Sequence, residues 1–185
     1  MIIIGLDLET TGLSYEDGHR IIEVGMIKAE LDLYSFKAKT IAHHIQRIHP
    51  NRSISADAVA IHGITLSDLA GCPQFHDVAA DIVNFMSDTR LLVGHNLIGF
   101  DAPFLAMELM AAGQIPPAHL KMLDTIDARW ATPHGKMPNL GELCYALEVP
   151  YDPMAAHSAE YDINRTLEAF YKGLELGWFK IPEGV

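Results

Sequence analysis

Four acidic residues and one histidine could do chemistry together in this chain: Asp7-Leu8-Glu9 near the start, Asp101 in the middle, and His157 with Asp162 toward the end. Each stands in an otherwise apolar or small stretch, where a strand or helix should begin or end. Asp7 and Glu9 are two apart, so in a strand both carboxylates project from one face. Two like charges that close repel, and burial raises their pKa values unless a cation compensates. A set of oxygen ligands suits Mg²⁺ or Mn²⁺, whereas zinc would bring His or Cys. Together the residues describe a two-metal phosphodiesterase. Asp7, Glu9, Asp101 and Asp162 hold the two cations, and His157 takes the proton of the attacking water as general base.

Such a pocket needs elements that bring distant stretches together. Ile2 to Glu9 reads as a strand, with Ile2, Ile4, Leu6 and Leu8 on one face and Ile3, Gly5, Asp7 and Glu9 on the other. Its first half is apolar on both faces, which marks a central strand covered on both sides, and Thr10-Thr11-Gly12 ends it. Arg20 to Ala29 and Lys39 to Ile48 read as two more strands of an antiparallel meander. The pattern then turns helical, with Ser55 capping Ala56 to Ile61, and Thr65 or Ser67 opening another short helical piece. Val78 to Met86 recurs at helical spacing, Leu91-Leu92-Val93 is a short buried strand, and further helices are predicted near Ala102 to Ala112, Thr125 to Trp130, Leu140 to Leu147 and Ala159 to Leu174. Strands first, then alternating helix and strand, give an α/β sheet of mixed direction with helices on both faces.

Asp101 directly precedes Ala102-Pro103-Phe104 and reads as a helix N-cap or as a ligand; the two roles are compatible, because a helix start favours the ionised carboxylate. Asn96 could hold a ligand by its amide or simply make a turn. His157 and Asp162, five apart, would diverge by about 140° on one helix. With Ser158 as the cap, His157 lies on the approach and Asp162 in the first turns, and both can face one point.

The whole chain narrows the function further. A length of 185 residues fits one domain, taken here as 1–185. No run approaches the ~18 uncharged residues that cross a bilayer, no basic leader precedes the first strand, and Cys72 and Cys144 are far apart, so a protein of the reducing cytoplasm, with no membrane association, is expected. The 13 basic against 24 acidic residues, a net charge of −11, disfavour a nucleic-acid binding module more than a hydrolase.

The residues resemble the DEDDh, or DnaQ-like, exonuclease family in three motifs. These are Asp7-Leu8-Glu9-Thr10-Thr11-Gly12-Leu13, the stretch Gly94 to Asp101 through Asn96 and Phe100, and His157-Ser158-Ala159-Glu160-Tyr161-Asp162. Lesser matching stretches are Ile61-His62-Gly63-Ile64-Thr65, Asp124-Thr125 with Arg129, and Asn139 to Cys144. The resemblance implies a ribonuclease H-like fold with a mixed five-stranded sheet and 3′-5′ removal of nucleotides with two Mg²⁺ or Mn²⁺ ions. It implies the same four carboxylate ligands, His157 as base, and Thr10, Thr11, Gly12, Leu13, His62 and Asn96 against the substrate. Leu13 would wedge against the terminal bases. Five positions separate Asn96 from Asp101, where bacterial proofreading subunits usually have four, so the motif detail is more similar to the three-prime repair exonuclease branch. A stand-alone exonuclease on single-stranded or frayed DNA, releasing nucleoside 5′-monophosphates, is the leading expectation. An exoribonuclease, or a subunit associated with a polymerase or another replication or repair protein, is the alternative.

Overall fold

The computed structural model describes residues 1–185. Its center is β1 (Ile2–Thr10), flanked on one side by β2 (Ile21–Leu31) and β3 (Ala38–Arg47), and on the other by β4 (Leu91–Gly94) and β5 (Lys121–Asp124). The order β3-β2-β1-β4-β5 is antiparallel across the first three strands and parallel from β1 outward to β5. The helices are α1 (Ala56–His62), α2 (Phe75–Met86), α3 (Ala102–Ala111), α4 (Leu140–Ala146) and α5 (Ala159–Glu175).

Alternation along β1 divides the core. Ile4, Leu6 and Leu8 pack with Phe75, Val78 and Ile82 of α2 and with Phe104, Leu105 and Leu109 of α3. Ile3 lies on the opposite face with Leu91, Val93 and the α5 stripe Ile163, Leu167, Phe170 and Leu174. The period-2 strand thus feeds two helical layers, one on each face of the sheet.

Two glycines let α5 settle against the sheet. A Cβ on Gly5 would stand 2.6 Å from Ile163 Cγ2, and one on Gly25 would stand 2.7 Å from the Ala159 Cβ. Gly25 is the cross-strand partner of Asp7. The bare backbone there brings the first turns of α5, and Asp162 with them, down beside the acidic end of β1.

Several local expectations need correction. The 65–71 stretch forms turns, not a helix; Thr65 donates its N–H and hydroxyl to Asp68 Oδ2 at 2.8 and 2.6 Å, satisfying a capping pair without a helix behind it. The helix expected over Thr125 to Trp130 is two short 3₁₀ turns, Thr125–Asp127 and Arg129–Ala131, separated at Ala128, whose ψ of 54° is not helical. Neither Asp101 nor Ser158 caps its helix with a side chain. Asp101 has helical backbone angles and ends a π-helical turn, Leu97–Asp101, closed by the Ala102 N–H on the Leu97 carbonyl. A π turn takes one residue more than an α turn.

Candidate active site

Beyond Gly5 the ladder between β1 and β4 stops, leaving later β1 amides without a β4 partner. Asp101 fills this gap: its Oδ1 accepts the Leu8 N–H at 3.0 Å, and the residue is only 3% exposed. The turn that delivers Asp101 is held in place by Asp124 at the end of β5. Its two carboxylate oxygens accept the N–H groups of Asn96 and Ile98, each at 2.8 Å, and Oδ1 also takes that of Ile126 at 3.1 Å. The Thr125 hydroxyl donates to the Gly94 carbonyl at 3.0 Å. This tether explains the matching Asp124-Thr125 stretch, which sequence reasoning left without a role.

From the other side, Asp162 Oδ2 accepts the His157 N–H at 2.9 Å. His157 is exposed with φ of 65°, in the left-handed region that few non-glycine residues adopt. The carboxylate therefore holds the backbone of the very residue that carries the imidazole.

Asp7 and Glu9 of β1, Asp101 of the π turn and Asp162 of α5 thus stand near enough for their charges to act on one another. Burial first, then the charges of Asp162 and Glu23, push the Asp7 carboxyl up to about 8. Burial, followed by Asp7, Glu23 and Asp162, pushes Glu9 up to about 9. Burial and Asp7 hold Asp101 well above the usual carboxylate range against the opposing Leu8 N–H. Burial also raises Asp162, opposed by the His157 N–H and by the His157 charge. No three of these side chains close on one coordination point as they stand. Still, Asp162 Oδ1 is buried with no hydrogen-bond partner, and a carboxylate oxygen in that state lacks an ion or donor. Crowded, oxygen-only and incompletely satisfied, the group fits a hard divalent cation.

Beside the acids runs a groove of about 450 Å³ lined by Glu9, Thr10, Gly12, Leu13, His62 and Phe100, among others. Leu13 is 84% exposed at its rim. His62 closes one wall: its Nδ1 accepts the Ile64 N–H at 3.0 Å, so Nε2 carries the proton and donates to the Thr10 carbonyl at 3.2 Å. Burial lowers the His62 pKa and favours this neutral form. Two predicted substrate residues lie elsewhere. Thr11 is fully buried, its hydroxyl oxygen accepting the Arg20 N–H at 3.0 Å and lying 3.0 Å from His19 Nδ1, so it shapes the turn instead of lining the groove. Asn96, exposed and left-handed at φ of 68°, sits at the entrance of the π turn, its amide oxygen against Gly99.

One acid at the site was not singled out from sequence. Glu23 is the direct cross-strand partner of Glu9 and is buried. Its signal was a single carboxylate inside the apolar run Ile21-Ile22-Glu23-Val24, but the β1–β2 register that places it was not readable.

The family described as Exonuclease (RNase_T) matches residues 4–170, and the chain belongs to this DnaQ-like family of 3′-5′ exonucleases. The chain is 35% identical over 169 residues to DNA polymerase III subunit epsilon of Rickettsia typhi, covering 89% of this chain and 70% of that protein. The zinc ion bound form of an E. coli exonuclease I complex with single-stranded DNA superposes with a TM-score of 0.79 at 18% identity, over 94% of this chain and 40% of that one. Exonuclease X in complex with 5′ overhanging duplex DNA gives a TM-score of 0.65 at 24% identity, over 96% of this chain and 94% of that one. The chain spans less than half of exonuclease I, and at these identities both structures speak for the fold. The similarity to a polymerase subunit favours the polymerase-associated alternative over the stand-alone expectation, and lends nothing to the three-prime repair branch. No helix is long and apolar enough to cross a membrane.

Proposed function

We propose that residues 1–185 form one exonuclease unit that trims unpaired DNA 3′ ends for a polymerase, releasing nucleoside 5′-monophosphates in the reducing cytoplasm. The observation that carries this reading is the meeting of Asp7, Glu9, Asp101 and Asp162, with one buried Asp162 oxygen unsatisfied. These four would hold two Mg²⁺ or Mn²⁺ ions, whose chemistry when bound is to polarise the scissile phosphate and the attacking water. The hardness of the oxygen donors favours those ions over zinc, and a cation would relieve the burial and mutual repulsion that raise the Asp7 and Glu9 carboxyl groups.

The remaining work falls to the chain's own side chains. Leu13, projecting at the rim, stacks on the terminal bases; such apolar contact tolerates any sequence. Thr10 and Gly12 present backbone along the groove, and His62 fixes the Thr10 carbonyl from the far wall. His157, exposed at the mouth of the pocket, accepts the proton of the attacking water on its imidazole. Water oxygen bonds to phosphorus, the bond from phosphorus to the 3′ oxygen of the preceding nucleotide breaks, and that oxygen is protonated. Asp162 keeps the His157 backbone in place.

Support for DNA and for a polymerase partner comes from the names of the relatives. The test is digestion of end-labelled single-stranded DNA and matching RNA with Mg²⁺ or Mn²⁺, beside chelator and Asp7→Ala controls. Stepwise shortening from the 3′ end that needs metal and Asp7 is expected. Internal cleavage, or indifference to a blocked 3′ end, refutes the exonuclease reading; faster loss of RNA selects the exoribonuclease alternative. Co-elution with a DNA polymerase catalytic subunit checks the association.

A further inference from the structure

Glu9, Glu23 and Arg47 form a row across three strands. Glu9 of β1 pairs with Glu23 of β2, and Glu23 pairs with Arg47 of β3. Partners directly opposite in antiparallel strands share a face, with Cβ atoms about 5 Å apart. Glu23 therefore stands on the pocket side of the sheet next to Glu9, its side chain 9% exposed. Two carboxylates facing each other at that spacing destabilise a sheet, and the Arg47 Nε, 3.0 Å from Glu23 Oε2, offsets them. Arg47 reaches in from the edge strand with its side chain 48% exposed.

Three features separate this pair from an ordinary surface ion pair. Its acid is buried and its base is open to solvent. The charge of Glu23 is felt by Asp7 and Glu9, raising both carboxyl groups. The pair also lines a hollow of about 500 Å³ with His62 and His157, on the far side of His62 from the Leu13 groove. Glu23 is thus close enough to add its charge to the pocket, while Arg47 pairs with it from the solvent side.

We propose that the Glu23–Arg47 pair is a charge counterweight that sets how tightly the acidic pocket holds divalent cations, with both members acting as positioning residues and neither as a ligand. The inference rests on the metal-dependent reading of the pocket. As a pair they add no net charge. Removing Arg47 leaves an extra negative charge beside Glu9, and removing Glu23 leaves an uncompensated guanidinium. As a general magnitude, one unit charge acting on a divalent ion across a separation on the order of 10 Å, through a partly screened effective dielectric, changes its affinity roughly tenfold.

The experiment is Mn²⁺ titration by calorimetry of the full chain, without nucleic acid, for wild type, Arg47→Gln, Glu23→Gln, the double variant, and Arg47→Lys. Arg47→Gln is expected to bind Mn²⁺ roughly tenfold more tightly and Glu23→Gln roughly tenfold more weakly. The double variant and Arg47→Lys should return close to wild type, and thermal melts verify that each is folded. Equal affinity in all five proteins, or weakening in both single variants, overturns the counterweight, because a purely structural pair does not reverse sign between its members. Absence of Mn²⁺ binding by wild type, or binding unchanged by Asp7→Ala, refutes the metal reading itself and is distinct from either result.

Discussion

Replacing Asp7 by asparagine removes one charge from the pocket while keeping the side chain's size, so the variant isolates electrostatics from packing. The Asp7 carboxyl rises from 3.8 to about 8 in the folded protein. Between those values the unfolded chain has released this proton and the native state retains it. A folded pKa above the unfolded one gives stability that is fully present below pH 4 and lost as pH rises through about 8. Each unit corresponds to about 1.4 kcal/mol, so the full span is about 5–6 kcal/mol for an isolated group. Asp7 keeps some solvent contact, and its repulsion is shared with Glu9, Asp101 and Asp162. A discounted gain of about 2 kcal/mol at pH 9 is therefore expected in the metal-free variant, or about 4–8 °C in Tm for a chain this long. The gain should shrink toward zero as pH approaches 4. Mn²⁺ should stabilise wild type at pH 8, because binding only the native state raises its stability, and should do much less for Asp7→Asn. Calorimetric melts of chelator-treated protein from pH 4 to 9, with and without Mn²⁺, measure all of this. A variant less stable than wild type at pH 9, or a gain independent of pH, refutes the electrostatic account of the pocket.

His157→Ala should keep Mn²⁺ affinity in calorimetry yet lose about 10²- to 10⁴-fold in turnover, the ordinary general-base contribution; lost metal affinity would recast His157 as a ligand. Gly5→Ala places a Cβ 2.6 Å from Ile163 Cγ2 and 2.9 Å from Leu167 Cγ. Overpacking of that kind costs about 1–3 kcal/mol, seen as a lower urea midpoint, and because it lifts α5 it should weaken Mn²⁺ binding through Asp162. Asp124→Ala deprives the N–H groups of Asn96, Ile98 and Ile126 of their acceptor. A loss of about 2–3 kcal/mol is expected from buried charge-assisted bonds, along with reduced exonuclease activity as Asp101 loses its support; an unchanged urea midpoint would remove Asp124 from this role.

Sequence alone determined which side chains could carry the chemistry and which elements would hold most of them. Asp7 and Glu9 had to share a face because side chains alternate along any strand, and the period-2 and period-3.6 patterns of β1 and α5 depend on local spacing alone. What sequence reading missed was set by long-range contacts. β5 is four residues long with half of them exposed, too short and too polar to show a pattern, and it exists through pairing with β4. Asp101 looked like a cap because it precedes a helix, but the unpaired Leu8 amide, distant in sequence, takes its carboxylate instead. Thr11 sits inside a motif whose neighbours reach the groove, yet its hydroxyl is claimed by the Arg20 amide. Glu23 joined the pocket through the register of β1 on β2, and a slip of one residue would have turned it to the other face. Local rules decide what a side chain is able to do and which way it points within its own element; only the packing of elements onto one another decides which charges meet.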